Sequence, residues 1–227
     1  MSSSRSPGGR TRVKTARNRT AQSTRWLARQ LNDPYVKRAK AEGYRSRAAY
    51  KLLELDEKFA ILKGVRGVVD LGIAPGGWSQ VVRRTAPGAA IVGIDLLPVD
   101  PIEGVSIFEM DFMDDAAPER LMAELGRAPD LVMSDMAANT VGHPQTDHLR
   151  TLGLAEAAAE FAIEVLATGG TFIAKVFQGG TDRALLVRLK QEFTTVKHAK
   201  PPSSRKGSPE LFVIAQGRKP RRTDEEA

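Results

Sequence analysis

Two acids and a lysine interrupt apolar runs in a way that could do chemistry. Asp135 ends DLVMSD, Lys175 lies within TFIAKVF, and Glu210 opens ELFVIAQ. A central parallel strand is covered on both faces, so a lysine within it costs several kcal/mol unless it is paired. The alternative for Lys175 is a side chain snorkelling from a frayed strand end. If the last strand runs antiparallel to the others, its beginning meets their carboxyl ends, and Glu210 joins Asp135 and Lys175 at one edge. Ionisable groups gathered at the edge where ligands bind are candidates for a catalytic set.

A second candidate is VVDLGIAPGGWSQ, residues 68–80, in which an apolar run leads through Asp70 and glycines into a helix start. A dinucleotide loop uses G-x-G-x-x-G so that backbone N–H groups approach a pyrophosphate. Here Ala74 stands two places after Gly72, and Pro75 has no N–H, so a phosphate cradle is not expected. No Lys-Ser/Thr pair follows Gly77, which removes the P-loop reading. S-adenosylmethionine has no phosphate and carries cationic sulfonium and amino groups, which suit a loop flanked by Asp70. Asp95, ending the next apolar run, is spaced to bind ribose hydroxyls, and Asp111 in FEMDF is placed to accept from an adenine amino group.

These residues need elements to hold them. The runs VRGVVDLG, AAIVGIDL, VSIFEM, DLVMSDM, TFIAKVF and ELFVIAQ alternate with helix candidates beginning near Gly77, Pro118, Thr146 and Thr181. Strict alternation implies a parallel, doubly wound α/β sheet whose ligands bind beyond the carboxyl ends of the strands. Upstream, RSRAAYKLLELDEKFAIL reads as an amphipathic helix with Ala48, Leu52, Leu55 and Phe59 at helical spacing and Ser46 as its cap.

Charge is divided unevenly. Residues 1–51 hold fourteen Lys and Arg against Asp33 and Glu42, a net +12, whereas the remainder holds twenty basic and twenty-five acidic residues, a net −5. A basic segment ahead of a mildly acidic domain is the footprint of a binder of nucleic acid or another polyanion. Residues 1 to about 20 also fit a solubilising tail by composition. In residues 25–51 aromatics interleave with the cations, which favours binding. The chain contains no cysteine, so disulfides, thiolate metal sites and cysteine nucleophiles are excluded. His143, His148 and His198 are scattered without carboxylate spacing, and no metal site is expected. No apolar run reaches membrane-spanning length, and the expected location is the cytoplasm, with an organelle presequence as the alternative for the basic N-terminus.

Taken together, RWL at 25–27, RSRAAYKL at 45–52, DLGIAPGGWSQ, DLLPVDPIEGV, MDF, MSDMAAN, KVFQG and PPSSRKGSPE resemble the FtsJ family of ribose 2′-O-methyltransferases over residues 23–220. The resemblance implies a Rossmann-like S-adenosylmethionine-dependent methyltransferase fold. Its mostly parallel seven-stranded sheet would have helices on both faces and an antiparallel last strand. It implies a catalytic tetrad at Lys51, Asp135, Lys175 and Glu210, and methyl-donor contacts at Gly76, Trp78, Asp95, Asp111 and Asp135. Unaided, Trp78 reads as a core residue. A second cation such as Lys51 would favour a neutral Lys175, whereas Asp135 and Glu210 favour the charged form. Lys175 is expected to be the base, with the other three orienting it and the hydroxyl. The family loop commonly reads SDMAPN, and Ala138 replaces its proline.

The implied reaction is 2′-O-methylation of a uridine in the peptidyl-transferase A-loop of 23S rRNA, with the large ribosomal subunit as partner and the enzyme as a monomer. Covalent methylation of pyrimidine C5 needs a cysteine, and exocyclic-amine methylation usually uses Asn-Pro-Pro-aromatic where this chain has SDMAAN. The rivals are ribose methylation of tRNA or an mRNA cap, a ribosome-assembly factor that binds RNA without catalysis, and a nicotinamide-linked reductase. Residues 1–22 are expected to form a disordered basic arm that raises salt-dependent RNA affinity, and 221–227 a disordered tail. Residues 23–60 are expected to be a helical, RNA-contacting lead-in. Ser203, Ser204, Arg205 and Lys206 form a loop that is either an RNA phosphate site or a solvated turn.

Overall fold

A computed structural model of the chain describes residues 20–137, 144–178 and 183–221. The expectations placed on the arm up to residue 19, on Ala138, on His143 and on residues 222–227 lie outside the described residues.

Three helices lead in: α1 (Ala21–Asn32), α2 (Pro34–Glu42) and α3 (Ala48–Phe59). Asp33 ends the first and caps the second, its side chain accepting from the Tyr35 amide while Pro34 occupies the first helical turn. Gly43 closes α2 with φ +74°, a conformation that costs glycine little. Then follow β1 (Gly67–Leu71), α4 (Gly77–Thr85), β2 (Ala90–Asp95), β3 (Val105–Glu109), α5 (Ala117–Leu125), β4 (Leu131–Ser134), α6 (Pro144–Val165), β5 (Thr171–Phe177), α7 (Arg183–Glu192), β6 (Phe193–Ala199) and β7 (Glu210–Arg218). Every expected run is a strand. β6 was not among them.

The seven strands lie in the order β3-β2-β1-β4-β5-β7-β6. β1 pairs in parallel with both β2 and β4, so the chain turns back on itself at the β1/β4 boundary, where a crevice opens beyond the strand ends. β7 is antiparallel to both β5 and β6, which brings Glu210 opposite Phe177 and Phe212 opposite Lys175.

The pleat divides the core in two. Val69, Leu71, Val92, Val132, Phe172, Ala174 and Val213 pack under α5, α6 and α7. Val68, Leu131, Met133, Ile173, Phe212 and Ile214 pack under α3 and α4 with Leu52, Leu55, Trp78, Val81 and Val82. Side chains alternate along a strand, so Asp135, Lys175 and Glu210 fall on the same face as Met133, Ile173 and Phe212. That face is the one α3 covers, and α3 carries Lys51.

Ser46 does not cap α3. Arg47 holds the cap position without a side-chain bond, and Ser46 faces α4 instead, where a Cβ at Gly77 would lie 2.4 Å from its Oγ. The bare backbone at Gly77 is what lets α4 approach α3 so closely.

Candidate active site

The register sets four side chains in a row of alternating charge. Lys175 Nζ lies 3.1 Å from Asp135 Oδ1, Lys51 Nζ 3.5 Å from Asp135 Oδ2, and Lys51 Nζ 2.8 Å from Glu210 Oε2. Lys175 also donates to the Asp135 carbonyl. The side chains of Lys51, Asp135, Lys175 and Glu210 are 9–19% exposed, so none is fully hydrated and the pairing matters more than it would on a surface. Lys175 therefore does not snorkel from a frayed end. Lys51 further sits 5.5 Å from the centre of the Phe212 ring.

Burial disfavours charge on Lys51, but the Asp135 and Glu210 carboxylates outweigh it and raise its pKa. Burial likewise opposes the Asp135 carboxylate, and the Lys175 and Lys51 ammonium groups overcome it, holding Asp135 below the usual range. Asp135 Oδ1 is within ion-pair distance of Lys175 yet makes no well-aligned hydrogen bond, so it can accept from a further donor.

Beside this row is a cleft of about 270 Å³ lined by Gly72, Ala74, Asp95, Asp111, Phe112 and Asp135 among others. Asp95 Oδ2 accepts from the Ala74 amide at 2.8 Å and Oδ1 from the Leu97 amide at 2.9 Å, which ties the glycine loop to the end of β2. Each oxygen keeps a lone pair for another donor. Asp111 is exposed on the cleft wall, its Oδ1 accepting from the Met113 amide at 2.9 Å. Gly76 begins α4 with φ +103°, and a Cβ there would meet Ile102 Cδ1 at 2.5 Å, so this position holds only glycine comfortably. Trp78 is 3% exposed, its ring tilted against that of Phe212 with centres 5.6 Å apart, and donates Nε1 to the Ala48 carbonyl at 2.8 Å. Its indole belongs to the core behind the loop, leaving only its backbone to face a ligand.

Sequence reasoning missed Arg45, and it singled out Ser204 without its contact to Glu210. Arg45 clasps the carbonyls of Pro75, Asp100 and Pro101, at 3.3, 2.5 and 2.7 Å, joining the start of α3 to the glycine loop and to the loop after β2. A lone arginine in a basic segment gives no signal of such a role. The serine loop is not a solvated turn either: Ser203 and Ser204 are buried, and Ser204 Oγ donates to Glu210 Oε1 at 2.8 Å. The lead-in tyrosines form a cluster of their own. Tyr35, Tyr44 and Tyr50 pack on one another and under Arg47, Arg84 and Arg38, and burial together with the Glu42 contact pushes Tyr50 up to about 12. Their rings and the arginines over them hold the lead-in together.

A larger cavity, about 950 Å³, lies at the opposite edge of the sheet among Glu160, Glu164, Arg188, Glu192, Arg218 and Arg221. Its charges are consumed internally: Arg188 pairs with Glu160 and Glu192, and Arg218 with Glu192. Asp95, Asp111 and Asp135 line the smaller cleft, and Asp135 joins it to the charged row. Among the described residues no group of three or more His, Asp or Glu could hold a metal ion, and no helix is long and apolar enough to cross a membrane.

Asp70 is buried beneath the glycine loop, donated to by Ser79 Oγ at 2.7 Å. Burial, with the Asp135 and Asp95 charges, raises it to about 7 despite that bond. An unfolded aspartate ionises near pH 4, so between about pH 4 and 7 the unfolded state releases a proton that the folded state keeps, and Asp70 lowers stability as pH rises. Asp70→Asn keeps an acceptor for Ser79 without the charge. Urea unfolding should show its stability relative to wild type increasing from pH 4 to 8, by on the order of a few kcal/mol, and a difference independent of pH would refute the assignment.

Residues 44–218 match the profile of the FtsJ-like methyltransferases. The chain belongs to that family. A protein of Sphingopyxis alaskensis named ribosomal RNA large subunit methyltransferase E is 75% identical over 210 residues, spanning 92% of this chain and 91% of that protein. A protein of the same name from Novosphingobium aromaticivorans is 72% identical over 92% of this chain and 95% of its own length. Among solved structures, a protein provisionally named a ribosomal RNA methyltransferase from Plasmodium falciparum superposes with a TM-score of 0.69 at 31% identity, covering 78% of this chain and all of that one. The FtsJ-like match begins at Tyr44, just ahead of the helix carrying Lys51, and ends at Arg218, so it takes in the whole charged row and the cleft. The chain is therefore a methyltransferase with the Rossmann-like fold of that family.

Proposed function

We propose that the enzyme transfers a methyl group from S-adenosylmethionine to the 2′-oxygen of a uridine ribose in the A-loop of 23S rRNA, in the large ribosomal subunit. The observation that carries the reading is the Lys175-Asp135-Lys51-Glu210 row at the mouth of the cleft. The names of the relatives support the ribosomal substrate. Residues 1–22 and the cations of a helical lead-in over 23–60 would meet the RNA backbone, with the catalytic domain spanning 23–220 and a tail after it. On this reading the enzyme is a cytoplasmic monomer.

The residues present fit the donor. Asp95 and Asp111 offer carboxylates for ribose hydroxyls and an adenine amino group, Pro75 makes the loop unsuited to phosphate, and Asp135 Oδ1 has acceptor capacity left. Backbone at Gly76 and Trp78 would complete the cradle. S-adenosylmethionine, when bound, supplies an electrophilic methyl on a sulfonium. Lys51, with its raised pKa, stays an ammonium and fixes Asp135 from one side. Glu210 holds Lys51 in place. Asp135 would orient the ribose hydroxyl and Lys175, and Lys175 Nζ, entering as a neutral amine after giving a proton to solvent, would take the hydroxyl proton during methyl transfer.

Labelled S-adenosylmethionine with large subunits lacking A-loop methylation is the direct test, the product nucleotide being mapped by mass spectrometry. A 2′-O-methyluridine in the A-loop is expected. Transfer only to tRNA or capped mRNA would replace the substrate, and donor binding without transfer to any RNA would favour an assembly factor. The clasp by Arg45 makes a separate prediction: Arg45→Ala should raise KM for S-adenosylmethionine about five- to tenfold with kcat nearly unchanged, since the loop loses hydrogen bonds while the charged row is intact. An unchanged KM in steady-state assays would show that the loop holds its shape without it.

A further inference from the structure

The loop between β6 and β7, residues 200–209, reaches the charged row from its buried side. Ser203 and Ser204 are 1% and 6% exposed, and the Ser204 amide closes a turn on the Pro201 carbonyl at 2.9 Å. Glu54 of α3 and Arg47 at the cap of that helix fasten the turn. Glu54 Oε2 accepts from the Ser203 amide at 2.8 Å, and Arg47 donates to the Ser203 carbonyl while also pairing with Asp33. Lys200 Nζ holds the other side by donating to the Ser208 carbonyl at 2.6 Å. The turn is thus bolted to the same helix that carries Lys51.

From this fixed turn Ser204 Oγ donates to Glu210 Oε1 at 2.8 Å, and Lys51 Nζ donates to Glu210 Oε2 at the same distance. Each carboxylate oxygen therefore has its own donor. The terminal torsion of a glutamate is broad and soft, so one donor leaves the carboxylate free to rotate and two do not. Lys51 lies between Glu210 at 2.8 Å and Asp135 at 3.5 Å, so a rotated Glu210 would draw Lys51 off Asp135.

We propose that Ser204 is a positioning residue for methyl transfer: its hydroxyl locks the Glu210 carboxylate and so keeps Lys51 against Asp135. The proposal rests on the tetrad reading given above and adds a residue outside the tetrad. It concerns the geometry of the reacting state and not donor binding, because Ser204 does not line the cleft that holds Asp95 and Asp111.

The test compares full-length wild type with Ser204→Ala, Ser204→Thr, Glu210→Ala, Lys175→Ala and the Ser204→Ala/Glu210→Ala double variant, using unmethylated large subunits and S-adenosylmethionine. Ser204→Ala should lower kcat about tenfold, the loss of one hydrogen bond to a charged group, with KM for S-adenosylmethionine within about twofold of wild type. Ser204→Thr, which keeps the hydroxyl, should restore most of the rate. In the Glu210→Ala background the serine substitution should have no further effect, since its acceptor is gone. A wild-type kcat for Ser204→Ala, or an equal loss in both backgrounds, overturns the proposal while leaving the tetrad reading in place if Lys175→Ala and Glu210→Ala are impaired. Wild-type rates for those two variants overturn the tetrad reading and this proposal with it. Thermal melts report folding, and should Ser204→Ala not fold, Ser204→Cys, close in size and a weak donor, is read by the same criteria.

Discussion

Lys175→Ala should lower kcat by about a thousandfold or more with donor affinity nearly intact, because on the proposed mechanism it removes the group assigned to take the hydroxyl proton and with it charge stabilisation at the same atom. Lys175 is well placed for that loss to be specific. It is 9% exposed, its Nζ lies 3.1 Å from Asp135, and it is not part of the cleft wall that meets Asp95 and Asp111. Ser204 acts on the row from the far side, through Glu210 and Lys51. Lys175→Arg separates two roles. A guanidinium keeps the positive charge but cannot be deprotonated in a protein, so a base role predicts that Arg fails as fully as Ala. Single-turnover methyl transfer measures this directly. A Lys175→Arg rate within about tenfold of wild type would mean that residue 175 acts through charge alone.

Asp135→Asn should lose both activity and stability. The carboxylate stands between two ammonium groups at 3.1 and 3.5 Å, on side chains 9% and 12% exposed. Neutralising it leaves the two cations facing each other with only Glu210 to offset them, and removing one partner of a buried pair costs about 3 kcal/mol or more. Asp135 itself is 19% exposed, so the cost should fall at the lower end of that range. The sign with pH is fixed by the direction of the shift. Lys175 and Lys51 hold Asp135 below the ordinary carboxylate range, so its stabilising contribution is complete above pH 4 and fades as pH falls through the folded value. The gap between Asp135→Asn and wild type in chemical unfolding should therefore be widest near pH 7 and close in strong acid. A gap that persists unchanged at low pH would mean that the amide disrupts packing instead of charge balance.

Much of this arrangement can be read in the pattern of residues. Leu131 and Met133 lead to Asp135, Ile173 to Lys175, and Glu210 to Phe212, each in steps of two, so the three ionisable residues share the pleat face of their apolar neighbours. Ala74 and Pro75 in the glycine loop are enough to turn the reading away from phosphate. β6 was less legible. Thr194, Thr195, Lys197 and His198 are not buried, because an edge strand has one neighbour and one covered side, and its apolar period is correspondingly faint. The tyrosines of the lead-in show a related ambiguity: cations and aromatics mixed in sequence fit an RNA surface or an internal cluster, and Tyr50 at 2% exposure belongs to the second.

By itself the sequence determined the alternation of strands and helices, the strand ends at which chemistry could lie, and the kind of ligand the glycine loop excludes. These follow from local periodicity, since burial on one face repeats every two residues in a strand and every three to four in a helix. Only the tertiary structure decided that Lys51 reaches Glu210 across 159 positions, that Arg47 bridges Asp33 and the serine turn, and that Arg45 clasps the glycine loop. Those meetings depend on the order of strands, the reversal of β7 and the seating of α3 on one face of the sheet. Burial of whole faces fixes them, and a short window of sequence carries no record of which distant face will supply the partner.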